Sequence, residues 1–305
     1  MATPAKPNQI SVGAAEIISR APQQTDAQRD ALVRAAVIIG FLLLGYWPIL
    51  VGIYGSWFDE NAYMEHGVLV VPAALYMAWE KKAVLKTIAP RASVWGIWLV
   101  LISGLVACGG ILTQWYWASR IAFLVALVGC VAASYGWAMV NALGYPLGTL
   151  ILMITPPTFI FERLTLSLQL LASMLGERAL ELLGFSVLRE GNILEMVGIK
   201  LSVEEACSGI RSLLAILFLC VLYNYFFVKG RSLKLFLLLA GIPIAIFGNA
   251  IRIIVTGVLG QYHPEWVRGM AHETLGYITV AAAAIGVVLT HLLVLAVQKR
   301  RSANG

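Results

Sequence analysis

The chain has 305 residues, 60% of them hydrophobic and only 12% charged, with a net charge of +6. A soluble domain carries about a quarter charged residues, so a water-soluble globular fold is excluded and a membrane-embedded one is indicated. The basic residues cluster beside apolar segments, which argues against a nucleic-acid partner, and the four cysteines show neither CxxC nor other metal-ligand spacing.

Residues 1–32, rich in Pro, Gln and Ala, read as a disordered cytoplasmic tail with no cleaved signal peptide. Apolar segments follow at 33–53, 67–80, 94–113, 120–140, 144–161, 207–228, 234–256 and 274–297. Runs of this length and polarity predict an all-α polytopic membrane protein with eight transmembrane helices and the lipid bilayer as solvent. The second segment is short. The fifth contains Pro146 and runs into Pro156 and Pro157, a composition for a kinked or re-entrant segment. Residues 163–183 have helical periodicity with scattered charges and predict an amphipathic helix on the outer leaflet. The run SVLRE-GN-ILEMV-G-IKLSV then predicts a small hairpin or meander, with Gly191-Asn192 and Gly198 at its turns. Residues 298–305 form a basic cytoplasmic tail.

Orientation follows from Lys and Arg placement. With the N-terminus inside, the cytoplasmic segments hold 14 of the 22 basic residues and 4 of the 16 acidic ones. Trp115, Tyr116 and Trp117 then mark the outer interface, while Trp79, Trp95 and Trp98 lie near the inner one.

Three residues at the outer ends of segments carry chemistry. Ser202-Val203-Glu204-Glu205 matches a capping box, which starts a helix just before Cys207. A helix N-terminus and the cation of Arg211, four residues on, both favour a thiolate; Glu204 and Glu205 oppose it. The alternative for Cys207 alone is a buried structural cysteine. Arg252 stands in an apolar segment, where a cation needs a carboxylate, carbonyls or water. Asn249, one turn earlier, is placed to orient it; the alternative is a snorkelling or topology-fixing charge. His272 opens the last segment, where a helix N-terminus favours neutral imidazole. His66 and His263 are competing outer histidines, and His291 lies deep in the last segment. Cys108, Cys130 and Cys220 sit inside apolar runs and read as packing residues. A thiol, a guanidinium and an imidazole on one membrane face are the parts of a cysteine acyl-transfer site, with no cofactor or metal required.

The stretches EEACSGIRSL, NAIRI and HETLGY, in this order and spacing, resemble the exosortase/archaeosortase family of membrane cysteine transpeptidases over 33–297. The resemblance implies Cys207 as nucleophile, Arg252 as transition-state stabiliser and His272 as acid–base residue; Glu205, Arg211 and Asn249 are read as supporting residues from their positions beside these three. It implies a cell inner-membrane enzyme that cleaves C-terminal sorting signals of secreted proteins, typically of the PEP-CTERM type, and transfers the product to an acceptor. Its partners would be membrane-anchored proteins ending in a sorting helix, and an acceptor nucleophile the sequence does not name. The rival from another class is a transporter or polysaccharide-export component in which Arg252 and Glu205 line a path and Cys207 is silent.

Overall fold

The computed structural model describes residues 29–30, 33–59, 62–203, 209–263 and 270–303, with the backbone alone at 270–273, 302 and 303. The tail expected over 1–32 therefore falls outside the described residues, except for 29–30, which are helical. The chain forms two compact units, one of residues 1–55 and 74–151, the other of 56–73 and 152–305.

In the first unit, α1 (Val33–Gly45) and α2 (Trp47–Phe58) meet at a 70° bend. The ring of Tyr46, at the bend, packs on Phe123, with centroids 5.6 Å apart. The α5 helix (Val94–Leu112) and α6 (Tyr116–Tyr135) pack closely because glycine removes the side chains between them. A Cβ on Gly96 would stand 2.2 Å from the Ala133 nitrogen, and one on Gly110 2.3 Å from the Ser119 hydroxyl. Gly136 ends α6 with φ 86°, where a Cβ would meet the Arg91 carbonyl at 2.1 Å, and α7 (Trp137–Ala142) starts at once. The α3 helix (Gly67–Glu80) continues the chain from the second unit into the first, followed by α4 (Lys82–Thr87). Lys81 donates to the Ala142 carbonyl at the end of α7.

The fifth expected crossing is not one helix. It is α8 (Gly144–Thr149), a 3-10 turn (Leu150–Met153) and then a break. The proline pair is the reason. In a continuing helix the carbonyls of Leu152 and Met153 would accept from the backbone nitrogens of residues 156 and 157, and both are proline. Two side chains of the second unit supply the missing donors. The indole of Trp57 donates to Met153 O at 3.1 Å, and Nε2 of His66 donates to Leu152 O at 3.2 Å. The helix restarts with Pro157 as its cap, giving α9 (Thr158–Leu182), longer than the expected surface helix over 163–183. At 25 residues, α9 is one of six helices long and apolar enough to cross a membrane. The others are α5, α6, α10 (Gly209–Phe227), α11 (Arg231–Tyr262) and the Thr274–Arg301 part of α12 (Met270–Ala303); the bent α1–α2 pair makes a possible seventh. The expected eight thus reduce to six or seven among the described residues. The α3 helix has 14 residues and Gly144–Met153 is also short.

The expected meander is present as β1 (Val187–Glu190), β2 (Ile193–Met196) and β3 (Ile199–Ser202), antiparallel in that order. Its registers, Glu190↔Ile193 and Met196↔Ile199, leave two-residue turns at Gly191-Asn192 and Val197-Gly198. Both turn glycines have positive φ, 64° and 82°. Leu194, Met196 and Leu201 of the sheet share a core with Ala172 and Leu180 of α9 and Ile253 of α11. Arg189 of β1 ties the sheet to Glu177 of α9 at 2.6 Å.

Candidate active site

The site is built on α11, an apolar helix with one polar seam. Asn249, Arg252 and Thr256 recur at i, i+3 and i+7, so they share a face. Asn249 is 2% exposed and Thr256 1%. Among the described residues, Asn249 Oδ1 and Thr256 Oγ1 find no hydrogen-bond partner. A buried polar atom left so costs about 1–3 kcal/mol.

Two glycines bring neighbouring helices onto this seam. A Cβ on Gly209, the first residue of α10, would lie 3.0 Å from Asn249 Nδ2. A Cβ on Gly276 of α12 would lie 3.2 Å from Nη2, 3.3 Å from Cζ and 3.4 Å from Nη1 of Arg252. The guanidinium therefore rests on the bare backbone of α12. Position 272 is four residues earlier, one helical turn toward the start of α12 on the same face. The His272 side chain is outside the described residues, as are Glu205 and Cys207 entirely. Cys207 precedes Gly209 by two residues in the chain. The helix on which Arg252 rests is thus the one that carries position 272.

Arg211, one half-turn into α10, is half-exposed and paired with Glu65 at 3.1 Å. Its guanidinium stands 5.3 Å from the Tyr63 ring, which stacks on Phe161 of α9 at 6.2 Å. Tyr63 has φ 52°, the left-handed region that an aromatic residue rarely enters. The 62–66 turn is thereby fastened to the head of α10. Sequence reasoning passed over Glu65 and Tyr63, since nothing in a single sequence links residue 65 to residue 211. It also passed over Gly276, whose role is to be absent as a side chain, and read Gly209 only as a small neighbour of Cys207 that leaves room for a substrate backbone.

The competing histidines separate. His66 is held by the Leu152 carbonyl, and its ring lies 6.2 Å from that of Phe218, two turns below Arg211. Burial lowers its pKa, outweighing the Leu152 carbonyl and Glu65, which act upward. His263 is exposed at the end of α11, about 16 Å along the helix from Arg252 at 1.5 Å per residue. His291 is buried, its Nδ1 2.8 Å from the Tyr223 hydroxyl. Cys130 and Cys220 are buried as expected, but Cys108 of α5 is exposed. No group of three His, Cys, Asp or Glu residues among those described is arranged to hold a metal ion.

The family model for transmembrane exosortases (Exosortase_EpsH) matches residues 57–289. The chain belongs to the transmembrane exosortase family. Neither the curated proteins nor the solved structures contain a match to it. The exosortase match runs from Trp57, which caps the proline break, through the 62–66 turn, the meander and the Gly209–Asn249–Arg252–Gly276 contacts. It is a multi-pass membrane protein by family and by helix composition.

Proposed function

We propose that this exosortase is a membrane cysteine transpeptidase. It cleaves the C-terminal sorting signals of secreted proteins at the outer face of the cytoplasmic membrane and passes the acyl group to an acceptor. The observation that carries the reading is the seating of Arg252 on Gly276, one turn from position 272, with Asn249 against Gly209, two residues from Cys207. An arginine seated on the backbone of a neighbouring helix suits a group that must meet charge in a transition state.

The chemistry runs in two halves. The Cys207 thiolate attacks the scissile carbonyl, and the oxyanion that forms is met by the Arg252 guanidinium. Collapse breaks the C–N bond, and the departing amine takes a proton from the His272 imidazolium. The thioester on Cys207 is then attacked by the acceptor nucleophile, whose proton passes to His272 as the Cys207 thiolate is released. The location fits. From Arg231 to Arg252, α11 rises about 32 Å, and the 19 residues of α10 rise about 28 Å, at 1.5 Å per residue. Both match a hydrocarbon core of about 30 Å. With the basic ends Lys229–Lys234 and Lys299–Arg301 inside, the Arg252 level falls at the outer boundary, where a substrate's membrane helix would begin.

The test is mass spectrometry of a secreted reporter ending in a short motif, an apolar helix and a basic tail. A new C-terminus upstream of the helix, present with the wild-type chain and absent with Cys207→Ala, is expected. Unchanged processing by Cys207→Ala overturns the reading and returns the transporter class. A free acid as the new end, instead of an adduct, narrows the activity to hydrolysis.

A further inference from the structure

Among the described residues no strand pairs with the outer edge of β3, and that edge runs toward the site. Val203 N donates to Asn192 O at 2.9 Å, continuing the β2–β3 register. In an antiparallel pair the bonded positions alternate. Residues 199, 201 and 203 therefore turn their backbone groups to β2, and the Lys200 N–H and C=O and the Ser202 N–H point away from the sheet. No described residue bonds these groups. The edge carries neither Pro nor a bulge; of the devices that protect an edge it has only its short length and Lys200.

The direction of β3 is fixed by its neighbours. The Val197 carbonyl, at the turn before β3, accepts from Gln261 near the end of α11. Leu194, paired with Leu201, lies in one core with Ile253, beside Arg252. Thus β3 descends along α11 from the level of residue 261 to that of residue 253. Five residues after Ser202 the chain reaches Cys207. A membrane-anchored substrate follows the same course, from an extracytoplasmic domain through an extended stretch down into its membrane helix.

Given the transpeptidase reading above, we propose that the outer edge of β3 is the substrate-binding strand of this exosortase. The extended segment that precedes the substrate's membrane helix adds to the sheet parallel to β3. Two alternate substrate residues bond the Lys200 N–H, the Lys200 C=O and the Ser202 N–H. Main-chain pairing of this kind recognises conformation more than sequence, which suits an enzyme serving several secreted proteins. It also sets the register in which the next peptide bonds reach the Cys207–Arg252 level. The Lys200 side chain pairs with Glu195 across the sheet, so it leaves the edge open.

The test uses the full-length chain in membranes with a single-span reporter: a soluble domain, a candidate signal, an apolar helix and a basic tail. Lys200→Pro removes the outward N–H without touching the bonds to β2, and edge strands accept proline. Processing should fall at least tenfold, and at least fivefold further than in Lys200→Ala, which removes the same side chain but keeps the backbone N–H. The second arm leaves the β3 backbone intact and holds even if the proline variant is poorly made. A Lys200→Cys chain with its four native cysteines replaced is oxidised against reporters carrying one cysteine at successive positions before the helix. Cross-linking should peak at every second position and be absent from an Arg189→Cys chain, on β1 at the far side of the sheet. Wild-type processing by Lys200→Pro, or cross-links without the two-residue period, overturns strand addition. If Cys207→Ala still processes the reporter, it is the transpeptidase reading that fails.

Discussion

Arg252 puts a permanent cation in an apolar helix; the cost, about 2.5–3.5 kcal/mol at the bilayer centre, is smaller at the outer boundary proposed for it. Its donors lie flat on Gly276, so shape matters as well as charge. Lysine keeps the charge but not the planar fork. Arg252→Lys should therefore lose nearly as much turnover per purified molecule as Arg252→Ala, about two to three orders of magnitude. Near-normal turnover in the Lys variant would reduce Arg252 to a topology charge. His66 makes a different prediction. Its folded pKa is below the unfolded value of about 6.5. The unfolded state thus binds the extra proton, and the stabilisation is present above about pH 6.5 and lost as pH falls below it. Thermal stability in detergent should drop on acidification from pH 7 to 5, and less so in His66→Gln, whose amide can still donate to Leu152 O. An equal drop in both would mean that His66 is not the group that senses pH. Glu65 and Arg211 are both half-exposed, so their pairing contributes at most about 1 kcal/mol to stability. A larger effect on activity than on stability is expected for Glu65→Gln if the pair serves the head of α10, read by comparing turnover with melting temperature.

Among the elements, α12 shows how a missing side chain makes a site. A Cβ on Gly276 meets only the end of a flexible arginine at 3.2–3.4 Å, so Gly276→Ala should stay within about threefold of wild-type turnover. Gly276→Val adds two methyls where the guanidinium rests and should lose at least tenfold with protein level kept. Equal activity in the two variants would show that Arg252 does not need this seat. The contrast explains what a single sequence could tell. Apolar runs and the Gly-punctuated strands were legible, because period and turn chemistry are local. Pro156-Pro157 signalled a break, but not that Trp57 and His66, about ninety residues upstream, would cap the two orphaned carbonyls. Nor did the pattern over 163–183 reveal that the helix takes in residues 158–162, since its start is dictated by the prolines before it. Arg252 and position 272 could be assigned to one membrane face by counting segments. The contact of Arg252 with Gly276, one turn from position 272, is tertiary and had no trace in spacing.

At the scale of the whole molecule the remaining question is which way the chain faces. The expected orientation rests on a bias of 14 basic to 4 acidic residues inside, against 8 to 12 outside. It survives the loss of the fifth segment as a single helix, because the charges that decide it flank other helices. Lys229, Arg231 and Lys234 stand between α10 and α11, and Lys299, Arg300 and Arg301 end α12. Moving these clusters outward would also carry the meander and the Arg252 level to the cytoplasm, where a secreted substrate's domain no longer resides. Two positions read this out directly. Val197, at the β2–β3 turn, is 78% exposed, and Lys229 is exposed at the opposite end of α10. In a chain stripped of its native cysteines, Val197→Cys should react with a membrane-impermeant maleimide in intact spheroplasts. Lys229→Cys should react only after permeabilisation. The two differ by the length of one membrane-crossing helix, so they cannot share a compartment if α10 crosses. The reverse pattern would invert the topology and remove the site from the secreted proteins it is proposed to process; labelling of both from one side would mean that α10 does not cross.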